Sequence, residues 1–152
     1  FIWKAWFMLW VHRDPAAMKQ WLERVPDRQR SNARVANARY LHALVSGDDA
    51  HAFRSLNELP DEWLTDFDFT GPRALLLGML NQQAGRSDLA KVQFENALAN
   101  INAELEKDPT DFRPYRAKMW TLIGLDRLEE ARAIYQLQLQ ATRRPYRLAF
   151  FN

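Results

Sequence analysis

Apolar residues recur at spacings of three and four along most of the chain. The clearest case is the segment 87–107, whose apolar stripe consists of Leu89, Val92, Phe94, Ala97, Leu98, Ile101 and Leu105. Polar residues lie mostly between these positions, which predicts an amphipathic helix capped by Ser87 or Asp88. No segment sustains an alternation of apolar and polar residues, and no Asn-Gly or Asp-Gly pair marks a strand turn. The pattern therefore predicts an all-α protein.

Turn and helix-start residues divide this pattern into stretches of helical length. Prolines, glycines and aspartates mark the breaks, for example at Pro26, Gly85 and Pro109. Two helices joined by so few residues lie antiparallel. We therefore predict one domain, 1–142, built from helical hairpins. The hairpins cover 1–26, 31–60, 71–107 and 110–142, with an insertion at 61–70 and a capping tail at 143–152.

The hairpins share residues at fixed offsets. Pro26 and Pro60 are 34 residues apart. A second recurrence, at offsets of 38 and 41 residues, is a turn residue followed five positions later by alanine and nine positions later by a large apolar residue. It occurs as Gly47, Ala52 and Leu56, as Gly85, Ala90 and Phe94, and as Asp126, Ala131 and Tyr135. Recurrence over this length is typical of helical repeat arrays.

These residues resemble the tetratricopeptide repeat (TPR), a helix pair of about 34 residues. The third hairpin matches best, since the family's relative spacing is kept by Leu77-Gly78, Gly85, Ala90, Phe94 and Ala97. The resemblance implies a right-handed α-α superhelix, or solenoid, whose first helices line a concave surface. It also implies that Gly78 lets paired helices approach and that Phe94 fills the gap between neighbours. The fourth hairpin departs from the pattern, with Met119 for the small residue and Gln138 for the last alanine.

The TPR register assigns one face of each first helix to the concave surface. The residues predicted to bind a partner there are Arg34, Asn37, Leu41, Leu75, Met79, Gln82, Arg113, Arg116 and Trp120. In the first hairpin, Trp3, Phe7 and Trp10 take the same positions and form a candidate interface. Aromatic residues and arginines concentrate binding energy, so the groove would suit a peptide with hydrophobic side chains and an acidic residue or terminus. The alternative is that the aromatic residues are ordinary packing residues.

Two shorter segments, the insertion and the tail, carry aromatic residues that we expect to be buried. In the insertion, we expect Trp63, Phe67 and Phe69 to turn inward. A cation site there is disfavoured because the acidic residues lack the glycine and terminal glutamate of a calcium loop. The tail ends in Phe150 and Phe151, which we expect to cap the last hairpin, with self-occupation of the groove as the alternative.

Charge and composition narrow the class of partner. The 152 residues carry 21 basic and 19 acidic side chains, a balance that predicts no nucleic-acid partner. The apolar run 1–11 is interrupted by Lys4 and is short of the roughly 20 residues of a membrane span, so we expect none. The absence of cysteine excludes disulfides and thiolate metal sites. It leaves the compartment open, with the cytoplasm favoured.

Residues that carry catalysis or hold a metal are sparse. The chain has three histidines, His12, His42 and His51, and no His-Glu-x-x-His motif. It also lacks the glycine motifs of phosphate-binding loops and of nucleophilic serines. We therefore predict no catalytic residue, no metal, no cofactor and no enzymatic activity. An enzyme with a bound cofactor in a helical cavity stays as a third alternative, which an absorption spectrum would test.

The combined prediction is a protein–protein interaction module within a larger protein. It would bind a peptide or protein partner in the concave aromatic and basic groove. The alternative is a structural solenoid that packs permanently on another domain, or on a second copy as a homo-oligomer, without a transient ligand.

Overall fold

The structure is a computed structural model that describes residues 14–29, 32–59, 62–65 and 69–142. Its helices are α1 (Pro15–Glu23), α2 (Ala33–Val45), α3 (Asp49–Asn57), α4 (Arg73–Gln83), α5 (Ser87–Lys107), α6 (Arg113–Gly124) and α7 (Leu128–Thr142). A 3-10 helix, Asp27–Gln29, follows α1, and two short strands lie between α3 and α4. The prediction of a predominantly helical chain is confirmed. Trp3, Phe7, Trp10 and the tail 143–152 lie outside the described residues.

Short polar side chains begin the first three helices. The carboxylates of Asp14 and Asp48 accept hydrogen bonds from the third backbone N–H that follows each, and Asn32 accepts one from Arg34. The predicted cap of α5 is wrong, because the helix already begins at Ser87 and no side chain caps it. Asp88 instead lies in the first turn, where its negative charge favours the positive end of the helix dipole.

The same three-residue turn joins α2 to α3, α4 to α5 and α6 to α7. Its central residue is left-handed, with φ of 70° at Gly47, 71° at Gly85 and 58° at Asp126. In each turn the next residue donates its N–H to the carbonyl five residues earlier, which satisfies an end carbonyl of the first helix. The donor and acceptor pairs are Asp48 and Ala43, Arg86 and Asn81, and Arg127 and Leu122. Each turn joins the two helices of one hairpin, the second, third or fourth. The three turns lie at the residues that recur in the sequence.

Packing runs from each helix to its neighbours along the chain. Consecutive helices contact one another from α1 to α7, and α4 also contacts α6, which opens the next hairpin. One core cluster joins the second and third hairpins and includes Tyr40, Leu56, Leu64, Leu76 and Leu80. Another joins the third and fourth and includes Leu75, Phe94, Ile101 and Ala117. The handedness of a superhelix stays a prediction.

The insertion contains a small sheet that the apolar spacing did not predict. β1 (Trp63–Thr65) pairs antiparallel with β2 (Thr70–Pro72). Each strand has three residues, too few for an alternating pattern to be recognised. A Cβ on Gly71 would lie 2.7 Å from the Cβ of Ala117, so β2 lies directly against α6.

The aromatic residues of the insertion pack against the core. Trp63 packs against the cluster that joins the third and fourth hairpins, and Phe69 packs against both clusters. The expectation that these two side chains turn inward is confirmed, while Phe67 lies outside the described residues. No helix within the described ranges combines the length and the hydropathy of a membrane-spanning segment.

Candidate partner-binding surface

The structure divides the nine predicted partner-binding residues by exposure. The exposed residues are Arg34, Gln82, Arg113, Arg116 and Trp120, and Leu41 and Met79 are half-buried. The prediction is wrong for Asn37 and Leu75, which are 5 % and 1 % exposed. Side chains that are so deeply buried have no surface to offer a partner.

Asn37 is buried because α2 is covered on two sides. Its neighbour Ala36 belongs to the cluster shared with the third hairpin, while Ala38 packs with Met18 and Leu22 of α1. The four residues from Val35 to Ala38 are all buried. The first turns of α2 therefore present no concave strip of the kind that the TPR register predicted.

Leu75 is buried by the insertion and by the fourth hairpin. It shares its cluster with Ala117 of α6, and Trp63 and Phe69 from the insertion pack against the same cluster. The β-hairpin thus occupies part of the surface that the sequence assigned to a partner. Its strands are too short to be recognised from apolar spacing, so this cover was not predicted.

The exposed row on α6 consists of Arg116, Trp120 and Ile123. Trp120 is 46 % exposed and Ile123 is 41 % exposed. The spacing of four and then three residues places all three on one side of the helix. The other side holds the helix in the core through Ala117, Thr121 and Leu122, which are all buried. The hydroxyl of Thr121 donates a 2.8 Å hydrogen bond to the carbonyl of Ala117, which satisfies its buried polar group.

Positive charge accumulates along α6. The helix carries Arg113, Arg116 and Lys118 and no carboxylate. The guanidinium of Arg113 donates from Nε and Nη2 to the carboxylate of Asp111, at 2.9 and 2.8 Å. These hydrogen bonds lower the pKa of Asp111 and raise that of Arg113. The pair is exposed, so an incoming carboxylate could compete for Arg113 at small cost.

Phe94 fills the space between the third and fourth hairpins. It is 1 % exposed. A Cβ on Gly78 would lie 2.7 Å from its ring, and a Cβ on Gly124 would lie 2.5 Å from it. The ring therefore lies against both α4 and α6, at two glycines where a side chain larger than a hydrogen atom would collide with it. The resemblance implied the part played by Gly78, whereas the contact of Gly124 with the ring was not predicted.

Tyr135 takes the place of Phe94 in the fourth hairpin and is exposed. Both residues follow a left-handed turn residue by nine positions and a buried alanine by four. Tyr135 is nevertheless 49 % exposed. Two further apolar residues of α7, Leu128 and Leu137, are also exposed. Within the described part of the chain, the last hairpin thus has an open apolar surface.

Arg73 joins the second hairpin to the third, a role that the sequence did not reveal. It is the first residue of α4, and its Nη1 donates to the carbonyls of Leu56 and Leu59 at the end of α3. Leu56 lies in the last turn of α3 and Leu59 lies just beyond the helix, so the guanidinium adds a charged donor to carbonyls at this helix end. An arginine after a proline has no sequence signature that would predict this contact.

A cavity of about 800 Å³ lies between α1, α2 and α3. Its charged lining includes Lys19, Arg39 and Arg54, balanced by Glu23, Asp48 and Glu58. Burial lowers the pKa of His42 in this cavity, and the nearby His51 and Lys19 lower it further, against the opposing effect of a hydrogen bond to Pro15. No group of three or more histidines and carboxylates is arranged to hold a metal ion in the part of the chain described here.

Comparisons of the chain with protein-family models, with curated proteins and with solved structures give no match.

Proposed function

We propose that this chain is a protein-binding module whose contact surface is the exposed row on α6. The single observation that carries the proposal is the half-exposed indole of Trp120, which lies on one helix face with Arg116 and Ile123. Burying a large aromatic side chain is worth about 1.5–3 kcal/mol at about 25 cal/mol per Å². Tryptophan and arginine are also the residues most enriched among those that dominate binding energy at interfaces.

The charge of α6 indicates the chemistry of the partner. Arg113 and Arg116 lie on the side of α6 that carries Trp120, and the helix itself has no carboxylate, so an acidic segment of the partner would be attracted to this surface. Arginine can hold a carboxylate through two parallel hydrogen bonds, which lysine cannot do. The partner is therefore a protein segment with hydrophobic side chains to cover Trp120 and an acidic residue for Arg116.

The resemblance to TPR proteins supports the same class of function. The three equivalent turns and the packing of Phe94 against two glycines are what a repeated helix pair requires. In this proposal the binding surface is smaller than the sequence suggested, because the insertion covers the third hairpin around Leu75. Leu41, Met79 and Gln82 form its secondary part.

Affinity capture from a native extract tests the proposal. The parent chain is compared with the double variant Arg116→Glu with Trp120→Ala. The matched control is Lys91→Glu with Val92→Ala, which makes the same kinds of change at exposed positions of α5. All three proteins should first show equal helicity and melting. We expect a protein that the parent and the control retain and the α6 variant loses. Equal retention by all three would contradict the proposal.

A permanent interface is the second candidate function. The exposed Leu128 and Tyr135, seven residues apart on one side of α7, favour it, because exposed apolar surface often marks an interface between subunits. Sedimentation across a range of concentrations separates the two candidates. A mass that rises with concentration supports a homo-oligomer, whereas a constant monomer mass leaves the transient partner as the proposal.

A further inference from the structure

The cavity between α1, α2 and α3 shares no residue with the α6 surface. Its volume of about 800 Å³ lies within the range of about 300–1,000 Å³ that is usual for small-molecule sites. Each helix contributes residues from one face, for example His51, Ser55 and Glu58 on α3. The cavity is therefore large enough for a small polar molecule.

Ser55 brings a hydroxyl without a partner to this cavity. The residue is 3 % exposed and lines the cavity. Asn81 and Thr121 are also buried, but each donates a hydrogen bond to the carbonyl four residues earlier in its own helix. Within the described ranges, the side chain of Ser55 makes no hydrogen bond. Buried polar groups without a partner are costly and uncommon, so the hydroxyl points to a hydrogen-bonding ligand in the cavity.

The helices α1 and α3 begin at the same end of the cavity. His42, near the end of α2, hydrogen-bonds to the carbonyl of Pro15, the first residue of α1. The three-residue turn after α2 leads directly into α3. Both helices therefore run antiparallel to α2, and residues at the same depth in α1 and α3 lie at similar levels along the cavity.

Each of these two helices carries a basic residue in its middle and a glutamate four residues later. The pairs are Lys19 with Glu23 on α1 and Arg54 with Glu58 on α3, and all four residues line the cavity. Among the described residues, none of the four side chains forms an ion pair. Four residues of helix rise by about 6 Å, so the cavity has a basic zone about 6 Å from an acidic zone.

The other charged residues of the lining are already engaged. The carboxylate of Asp48 caps α3, because its Oδ1 accepts a 3.0 Å hydrogen bond from the backbone N–H of His51. Arg39 also lines the cavity and has an interaction of its own. The charged groups open to a ligand are therefore the two basic residues and the two glutamates on α1 and α3.

We propose that the cavity binds a small zwitterion of the size of a dipeptide, independently of the α6 surface. The carboxylate of the ligand lies between Lys19 and Arg54, and its ammonium group lies between Glu23 and Glu58. Its peptide group forms the hydrogen bond that Ser55 lacks. Two residues of extended chain span about 7 Å, which matches the spacing of the two zones. A simple anion would leave both glutamates without a partner.

Nuclear magnetic resonance of the histidine rings tests the inference, with L-alanyl-L-alanine as the probe. The full chain is titrated in phosphate-free buffer at neutral pH, and the signals of His42 and His51 are assigned with His42→Gln and His51→Gln. We expect saturable shifts of both rings. The N-acetylated dipeptide, the dipeptide amide and inorganic phosphate should each bind about tenfold more weakly or worse, because each lacks one charged group.

The ligand series decides the outcome without any variant. No saturable shift with the dipeptide would overturn the inference. Equal binding of the acetylated or amidated form would show that one of the two charged zones takes no part, and would also overturn it. Phosphate that binds as tightly as the dipeptide would identify a simple anion site instead.

Variants then assign the binding to the named side chains. Lys19→Gln with Arg54→Gln should abolish it, while Lys91→Gln with Arg132→Gln, which removes the same charges at exposed positions of α5 and α7, should not. Ser55→Ala should weaken it by about three- to tenfold, the usual effect of one neutral hydrogen bond. All variants should keep the parent's melting temperature. Equal affinity in both double variants, or no effect of Ser55→Ala, would contradict the assignment.

Discussion

The third and fourth hairpins have the same turn and the same buried alanine, yet their aromatic residues have opposite surroundings. Phe94 lies between two helices at glycines on either side, whereas Tyr135 is half-exposed at the end of the described array. Gly78, which makes room for Phe94, corresponds by the same offset to Met119 in the fourth hairpin. Within the described residues, Tyr135 therefore has neither a glycine opposite it on its own first helix nor a further helix on its other side.

This difference shows that residues at equivalent positions in two repeats can have different roles. In an array in which each hairpin contacts only its neighbours, an aromatic residue contributes to stability where a neighbour covers it. At an open end the same residue is available for binding instead. Four predictions, given in order of decreasing effect, test this contrast and the packing between the hairpins.

Two single variants, each without one aromatic ring, should differ widely in their free energy of unfolding. Phe94→Ala should lower the free energy of unfolding by about 3–5 kcal/mol, because it empties a buried site between three helices. Tyr135→Ala should cost less than about 1 kcal/mol, since half of the side chain is already in water. Urea unfolding of the two variants and the parent measures both. Similar losses would contradict the half-exposed position of Tyr135.

Removing Arg73 should weaken the junction between the second and third hairpins. Arg73→Met keeps much of the aliphatic stem but loses the charged donor for the carbonyls of Leu56 and Leu59. We expect a loss of about 1.5–3 kcal/mol, the usual range for hydrogen bonds to a charged group. Arg132→Met is the control, because its ion pair with Glu129 is exposed and should be worth less than about 1 kcal/mol. Equal effects in urea unfolding would show that Arg73 does not join the hairpins.

Gly78→Ala should destabilise the protein although alanine is the better helix former. Within a helix this change ordinarily gains up to about 1 kcal/mol. Here the new Cβ would lie 2.7 Å from the ring of Phe94, and such overpacking costs about 1–3 kcal/mol, so we expect a small net loss.

A double-mutant cycle isolates the contact between Gly78 and Phe94. Phe94→Leu replaces the ring with a smaller side chain. Gly78→Ala should then lower the free energy of unfolding by less, which gives a favourable coupling energy. A stabilising effect of Gly78→Ala on its own would mean that the two helices do not approach this closely.

The smallest expected effect is at the turn of the fourth hairpin. Asp126 has φ of 58°, a conformation that costs a residue with a side chain about 1–2 kcal/mol. Glycine avoids this cost, but it also raises the conformational entropy of the unfolded chain. That entropy cancels about 0.4–1 kcal/mol of the gain. Asp126→Gly should therefore stabilise the protein by about 0.5 kcal/mol in thermal unfolding. Gly85→Ala is the converse change and should destabilise it.

The sequence predicts the helices and turns well because both are local features. The spacing of Leu89, Phe94 and Ala97 sets a helical period, and Gly47 and Gly85 are residues that a left-handed turn favours. The length of α5 also agrees with the apolar pattern that extends to Leu105.

Contacts between distant segments were harder to predict. The burial of Leu75 depends on strands of three residues, which are too short to show a period. Likewise, the contact of Gly124 with Phe94 and that of Arg73 with the end of α3 join elements that are separate in the chain. Sequence patterns describe the faces of one element and do not say which other element covers them.

The contrast between the buried Phe94 and the exposed Tyr135 is tested most directly by the rate of thiol labelling, since the chain contains no cysteine of its own. Three single variants are compared at several protein concentrations: Tyr135→Cys, the exposed control Gln136→Cys, and the buried control Ala97→Cys. All three should keep the parent's helicity. The account predicts that Tyr135→Cys reacts at nearly the rate of Gln136→Cys and far faster than Ala97→Cys, at every concentration. A rate for Tyr135→Cys as slow as that of Ala97→Cys would show that position 135 is covered, and would contradict the account.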